Sequence, residues 1–291
     1  MPKRSLMLAG GGLKIAFQAG VLQVWLDEAN IEFHHADGVS AACFNLAMWA
    51  QGMSGKQIAD NWRNFRPLAA VKLNWLQLLR LIHAESIFTL DAFRKTFFPA
   101  WGIDWGRIRA GTREATFNVY NFSRHELRPV TADELNEDFL IAAASLPLWF
   151  PPVRIDRDTY IDAVFNTASN LEEAIRLGAD ELWVIWTTSS SGRWLDGFVG
   201  NFFGIFEATA NGGYKNVLAR IAANNAAIDR GSGGEFGRKI TVRELRAEVE
   251  LHYLFNFRKA RLVDAVERGV QAARAWCREN NVRVMTRNHE D

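Results

Sequence analysis

Ser5-Leu6-Met7-Leu8-Ala9-Gly10-Gly11-Gly12-Leu13-Lys14-Ile15 is the stretch that decides the fold. A short apolar run, Ser5 to Ala9, stops at three successive glycines, and Leu13 to Asn30 follows with Ile15, Ala19, Leu22 and Leu26 at helical spacing. That order predicts strand, tight loop, helix. The pattern then repeats. His35 to Val39 reads as a second strand running into Ser40, and Ala41 to Gln51 as a helix of small and apolar residues closed by Gly52. Two strand-loop-helix units in the first 52 residues predict an α/β fold whose parallel sheet is flanked by helices.

Downstream, Lys56 to Trp105 reads as mainly helical and aromatic-rich, with no chemical motif. Ala115 to Phe122 and Glu126 to Val130 read as a strand pair. Thr131-Ala132-Asp133-Glu134 has the form of a capping box and predicts a helix lasting to about Ser145. Pro147, Pro151 and Pro152 enclose an extended stretch. After Tyr160-Ile161-Asp162 comes a helix capped by Asn170 and stopped at Gly178, then a buried strand over Leu182 to Thr187. Arg193 to Asp229 reads as helical, Gly231 to Gly234 as a loop, Ile240 to Phe255 as extended, and Arg258 to Asn280 as a long amphipathic helix. The expectation is one domain over residues 1–291.

Composition narrows the function. The chain of 291 residues carries 34 Lys+Arg against 33 Asp+Glu, a net charge of +1, and nucleic-acid binding by counterion release needs a far more basic surface. The charge is uneven: Arg238 to Asp291 holds 12 basic and 8 acidic residues, which suits either a solvated helix face or a patch for anionic lipid. Cys43 and Cys277 are too few for a disulfide scaffold. The apolar run before Gly10 is too short for a signal-peptide core, and no stretch of about 18 apolar residues occurs. The expectation is a cytoplasmic protein, with peripheral membrane contact and homo-oligomers left open. Its 20 Phe and 11 Trp against 4 Tyr imply a large core or an apolar surface for a greasy partner. Val71 to Trp105 and Trp194 to Phe206 hold much of that excess. Val71 to Ile82 and Trp194 to Phe206 both read as core packing; for the second, with glycines at 197, 200 and 204, an acyl-chain groove, membrane contact and a subunit interface are the further readings.

Two segments can carry chemistry. Gly10-Gly11-Gly12 lets the backbone approach a ligand and aim amides at it beside a helix N-terminus. A dinucleotide site would need Gly-x-Gly-x-x-Gly, and Ile15 stands where its third glycine belongs. An oxyanion hole and a plain tight turn remain. Gly38-Val39-Ser40-Ala41-Ala42, between a strand and a small-residue helix, has the form of a nucleophile elbow, with small residues two places either side of the serine. A serine capping the following helix is the alternative.

These two segments, with Tyr160-Ile161-Asp162-Ala163, the Pro-bracketed Ala144-Ser145-Leu146-Pro147-Leu148-Trp149-Phe150-Pro151-Pro152-Val153, and Asn166 and Glu173 to Asp180 leading into Leu182 to Trp186, resemble in residue and order the patatin-like phospholipase family of the bacterial type. The resemblance covers roughly Ser5 to Thr188. It implies a three-layer α/β/α fold and a lipid acyl hydrolase that cleaves a carboxylic ester with a Ser-Asp dyad. Carried over, Ser40 is the nucleophile, Asp162 the base, and the amides of Gly10, Gly11 and Gly12 the oxyanion hole, with Lys14, Gly38 and Ala42 as supporting positions. The partner implied is a lipid or ester substrate. No metal and no organic cofactor is implied.

The sequence departs from the family at Ile15 and Ala42, where glycine is usual, and at Ala163-Val164, where Gly-Gly or Gly-Ala is usual. Those departures motivate a second reading, a patatin fold that binds lipid or a partner without turnover. A third is a Ser-His-Asp hydrolase. Of the six histidines (His34, His35, His83, His125, His252, His289), His252 is its late candidate.

Overall fold

The computed structural model describes residues 2–285. Its strands are β1 (Arg4–Leu8), β2 (His35–Val39), β3 (Lys72–Leu73), β4 (Phe88–Thr89), β5 (Glu114–Asn121), β6 (Glu126–Thr131), β7 (Val153–Ile155), β8 (Asp158–Asp162), β9 (Glu181–Trp186) and β10 (Thr241–Arg246). β3 and β4 form a separate small hairpin. The other eight make one sheet in the order β10-β9-β1-β2-β5-β8-β7, with β6 also paired to β5. From β10 to β5 the pairing is parallel, and β6, β8 and β7 are attached antiparallel.

Helices cover both faces of this mainly parallel sheet. α1 (Ile15–Leu22), extended by a wider-wound segment over Gln23–Glu28, lies on one face with α2 (Ala42–Ala50), α3 (Gly55–Asn64) and the C-terminal helix Lys259–Glu279. The helix Gly197–Asp229 lies on the other. Side-chain alternation along β9 shows the division. Trp183 packs on Trp25 and Trp276 on the first face, whereas Trp186 stacks on Tyr214 of Gly197–Asp229 at 4.1 Å. α1 and Lys259–Glu279 touch backbone to backbone: a Cβ on Gly20 would sit 2.0 Å from Val266 O, and one on Gly269 2.1 Å from Phe17 O. Any side chain at either position would drive the helices apart.

Both strand-loop-helix units form where the hydrophobic pattern predicts them, and Asn170 does cap its helix, accepting from the Glu173 amide. The reading of Lys56 to Trp105 as mainly helical holds, with its longest helices at Gly55–Asn64 and over 91–100 and the β3–β4 pair between them. Two expectations need correction. Thr131 opens no helix, because it ends β6 opposite Thr116; Asn136 is the cap of Glu137–Ala143, accepting from the Phe139 amide at 2.9 Å. Of the stretch read as extended over 240–255, only Thr241–Arg246 is strand. His289 lies outside the described residues.

Candidate active site

β2 and β8 meet end to end along one neighbour. β2 runs parallel to β5 until Val39 lies opposite Asn118, and β8 runs antiparallel to the same strand until Asp162 lies opposite Val119. Adjacent residues on β5 thus hold the end of one strand and the end of the other about 3.3 Å apart along the strand axis. Ser40 and Asp162, separated by 122 residues, are brought together by register alone, and Ser40 Oγ donates to Asp162 Oδ2 at 2.5 Å.

Ser40 sits at φ +60° between β2 and α2. A non-glycine residue is strained in this left-handed region, and a sharp strand-to-helix reversal is what imposes it here. Ser40 is therefore at an elbow and is not an extended N-cap. Gly38 makes room for the reversal, since a Cβ there would stand 3.0 Å from Leu46 Cδ2. Asn118 Nδ2 donates to Gly38 O at 2.9 Å, tying the elbow to β5. Ala42 starts α2 and is fully buried.

Asp162 is 2% exposed. Its Oδ1 accepts from the Val164 amide at 2.9 Å, so both oxygens are fixed. Burial pushes its carboxyl up to about 7, against the hydrogen bonds from Ser40 and Val164, which pull it down. Ala163 and Val164, two of the departures from the family pattern, are buried without disturbing this geometry, and Val164 Cγ2 lies 3.1 Å from where a Gly10 Cβ would be. Ile15 is likewise fully buried, as the first residue of α1.

The glycine loop faces the pair. A Cβ on Gly10 would approach the Ser40 Cβ to 3.1 Å, one on Gly11 would clash with Thr187 Oγ1 at 2.5 Å, and one on Gly12 with Tyr253 O at 2.3 Å. Gly12 also has φ +53°. The Gly10 amide is already taken by Ala168 O at 2.9 Å. Gly11 and Gly12, whose amides make no such bond among the described residues, are the free donors of the loop. Thr188 Oγ1 holds Gly10 O, Gln18 Nε2 holds Ala9 O, and Tyr253 O accepts from the Leu13 amide at 2.7 Å. Lys14 points away from solvent and lies over the Tyr253 ring, 4.1 Å from its centroid, where burial lowers its pKa.

Ser40 and Asp162 open on a narrow, predominantly apolar cavity. Phe44, Phe65, Phe93, Phe150, Phe203 and Phe206 line it. Val71 and the Phe203 end of the second aromatic stretch thus line it, whereas most of Leu73 to Ile82 does not. Among the described residues, no histidine lines this cavity. His252 packs against Phe203 and Phe255, and its Nδ1 accepts the amides of Leu254 and Phe255 at 3.1 Å. His35 is buried between Ser5 and Thr116, with a pKa lowered to about 4 by burial.

Sequence reading missed Asn118, Ala168, Thr188 and Tyr253. They act through backbone atoms or on backbone atoms, and no local pattern marks them. Asn118 also ties the elbow to a buried network: its Nδ2 donates to both oxygens of Asp37 at 2.9 Å, and its Oδ1 accepts from Asn170. Burial raises the Asp37 carboxyl to about 8.

A buried hydroxyl on an elbow, bonded to a buried carboxylate under a loop of free amides, is the arrangement serine acyl-transfer chemistry uses. The chain belongs to the patatin-like phospholipase family, whose model matches residues 6–175. Among solved structures, it is similar to the crystal structure of VipD from Legionella pneumophila, with a TM-score of 0.47 and 14% sequence identity over 96% of this chain and 67% of VipD. No curated protein matches it in sequence.

Proposed function

We propose that this protein hydrolyses a carboxylic ester of a lipid through an acyl-Ser40 intermediate. The observation that carries the proposal is the 2.5 Å hydrogen bond from Ser40 Oγ to Asp162 Oδ2 at the floor of an apolar cavity. A serine hydroxyl becomes an effective nucleophile when a neighbouring base takes its proton, and a desolvated carboxylate with a pKa of about 7 is matched to that task at neutral pH.

In the first half-reaction, Ser40 Oγ attacks the ester carbonyl carbon as its proton passes to Asp162. The carbonyl oxygen becomes an oxyanion, which the Gly11 and Gly12 amides stabilise together with the N-terminal end of α2. The ester C–O bond then breaks, and the departing alkoxide takes the proton from Asp162. In the second half, Asp162 draws a proton from water, the resulting hydroxide attacks the acyl carbon, and Ser40 leaves as its Oγ recovers that proton. The Phe44, Phe65, Phe93, Phe150, Phe203 and Phe206 side chains offer the acyl chain an apolar channel.

Covalent labelling with a fluorophosphonate tests this. The parent protein is expected to label, and Ser40→Ala and Asp162→Asn are expected not to. A parent that fails to label favours a patatin fold that only binds. Labelling that survives Asp162→Asn but not His252→Ala would replace the dyad with a histidine-based site.

A further inference from the structure

Seven large apolar side chains between Leu68 and Ile82 face solvent: Leu68 is 71% exposed, Leu73 41%, Trp75 67%, Leu76 82%, Leu79 78%, Leu81 81% and Ile82 93%. A packed core leaves no such row, so this segment is shaped for a partner. Between residues 66 and 84 there is no Asp or Glu, while Arg66, Lys72 and Arg80 are all exposed. The row is held firmly at its base. Asn74 N donates to Ile87 O, and Ile87 N and Phe88 N donate to Leu148 O and Trp149 O. Leu148, itself half-exposed, carries the apolar surface onward, because Trp149 packs on Phe198, whose ring lies open to solvent as do Trp194 and Leu195. The same segment also reaches inward, where Pro67, Ala70 and Val71 line the cavity above Ser40.

We infer that residues 66–84, together with Leu148 and Trp194–Phe198, form a docking surface for an anionic phospholipid bilayer at the mouth of the candidate active site. Apolar side chains interleaved with cations are the pairing that inserts below charged headgroups and is attracted to them. Trp75 and Trp194 supply the amphipathic rings suited to that depth. A second copy of the chain fits less well, because a two-fold contact would set the patch against itself and bring Arg66, Lys72 and Arg80 near their own duplicates. The surface rests on the proposed hydrolase reading only for what it delivers; docking itself requires no turnover.

The experiment is vesicle co-sedimentation with Ser40→Ala protein, so that hydrolysis cannot alter the vesicles, run beside measurement of solution mass. Binding is expected to vesicles containing phosphatidylglycerol, more weakly to phosphatidylcholine alone, and to weaken with salt. Trp75→Ser/Leu76→Ser/Leu79→Ser is expected to lower partitioning about tenfold or more, and Lys72→Glu/Arg80→Glu to remove the preference for anionic vesicles. Placed in protein that retains Ser40, the same substitutions should leave turnover of a soluble short-chain nitrophenyl ester unchanged, which also reports an intact fold. The inference is overturned if the parent does not bind vesicles or if the triple variant binds them equally well. It is also overturned if the triple substitution changes only the oligomeric mass, which would give the surface to a second copy. Vesicle binding by a protein that turns over no ester would leave the docking surface standing and remove the hydrolase reading.

Discussion

The Ser40–Asp162 junction and the segment 66–84 are opposite solutions for side chains near one cavity. At the junction, each reactive atom is held by the sheet: β5 fixes both strand ends, Asn118 holds Gly38 O, and the Val164 amide fixes Asp162. In the segment, short helical turns carry large apolar side chains that touch little, and only its base is bound to the body of the protein. The difference teaches that chemistry is built where register leaves no freedom, while recognition of a fluid, apolar partner is left to a surface without fixed side-chain partners.

The largest expected effect lies at the junction. Ser40→Ala and Asp162→Asn should each lower kcat/KM toward a soluble short-chain nitrophenyl ester by about 1,000-fold or more, measured by steady-state kinetics. Asp162→Asn should at the same time leave the fold at least as stable as the parent at alkaline pH, because it removes a buried ionisable group. Next comes the loop. Gly12→Ala must place a side chain at φ +53° against Tyr253 O. A loss of about 100-fold in kcat, with destabilisation of about 1–3 kcal/mol in denaturant titration, is expected.

A third prediction concerns pH. The base must be ionised to act, so kcat/KM should climb as pH rises toward about 7 and level off above it. Stability should move the other way. Asp37 and Asp162 have folded pKa values raised to about 8 and about 7 from 3.8, so the folded state holds protons that the unfolded state releases. Their contribution is full below 3.8 and is lost as pH rises toward 7 and 8. Asp37→Asn should flatten that decline in melting temperature. Smaller still is Phe203→Ala, which enlarges one wall of the cavity. It should shift preference toward longer or bulkier acyl groups by about 10-fold, in line with what one apolar contact contributes to selectivity. The smallest effect belongs to the exposed segment: Leu76→Ser should change folding stability by no more than about 0.5 kcal/mol. A larger change would show that the segment is packed and is held as the Ser40–Asp162 junction is.

Much of this was legible in the sequence because its signals are local. The apolar run before Gly10, the elbow Gly38 to Ala42 and the cap at Asn170 each announce themselves within a few residues. Thr131-Ala132-Asp133-Glu134 misled for the same reason. Its pattern is right for a cap, and Glu134 Oε2 does accept from Thr131, but pairing of Thr131 with Thr116 keeps it in a strand. The end-to-end meeting of β2 and β8 was not legible at all, since it depends on a register with β5 that no stretch of sequence encodes alone. Nor was the occupation of the Gly10 amide by Ala168 O, which passes the donor role to Gly11 and Gly12.

Tyr253 adds a consequence for the boundaries of the functional unit. The family match ends at residue 175, yet the space left empty by Gly12 is filled by the Tyr253 carbonyl, the Leu13 amide is bonded to it, and Lys14 is roofed by its ring. A chain ending after Thr188 would keep every motif residue and still lose the ceiling of its glycine loop. Heredity of the motifs and integrity of the site therefore have different borders, and exchange of segments between relatives should respect the second.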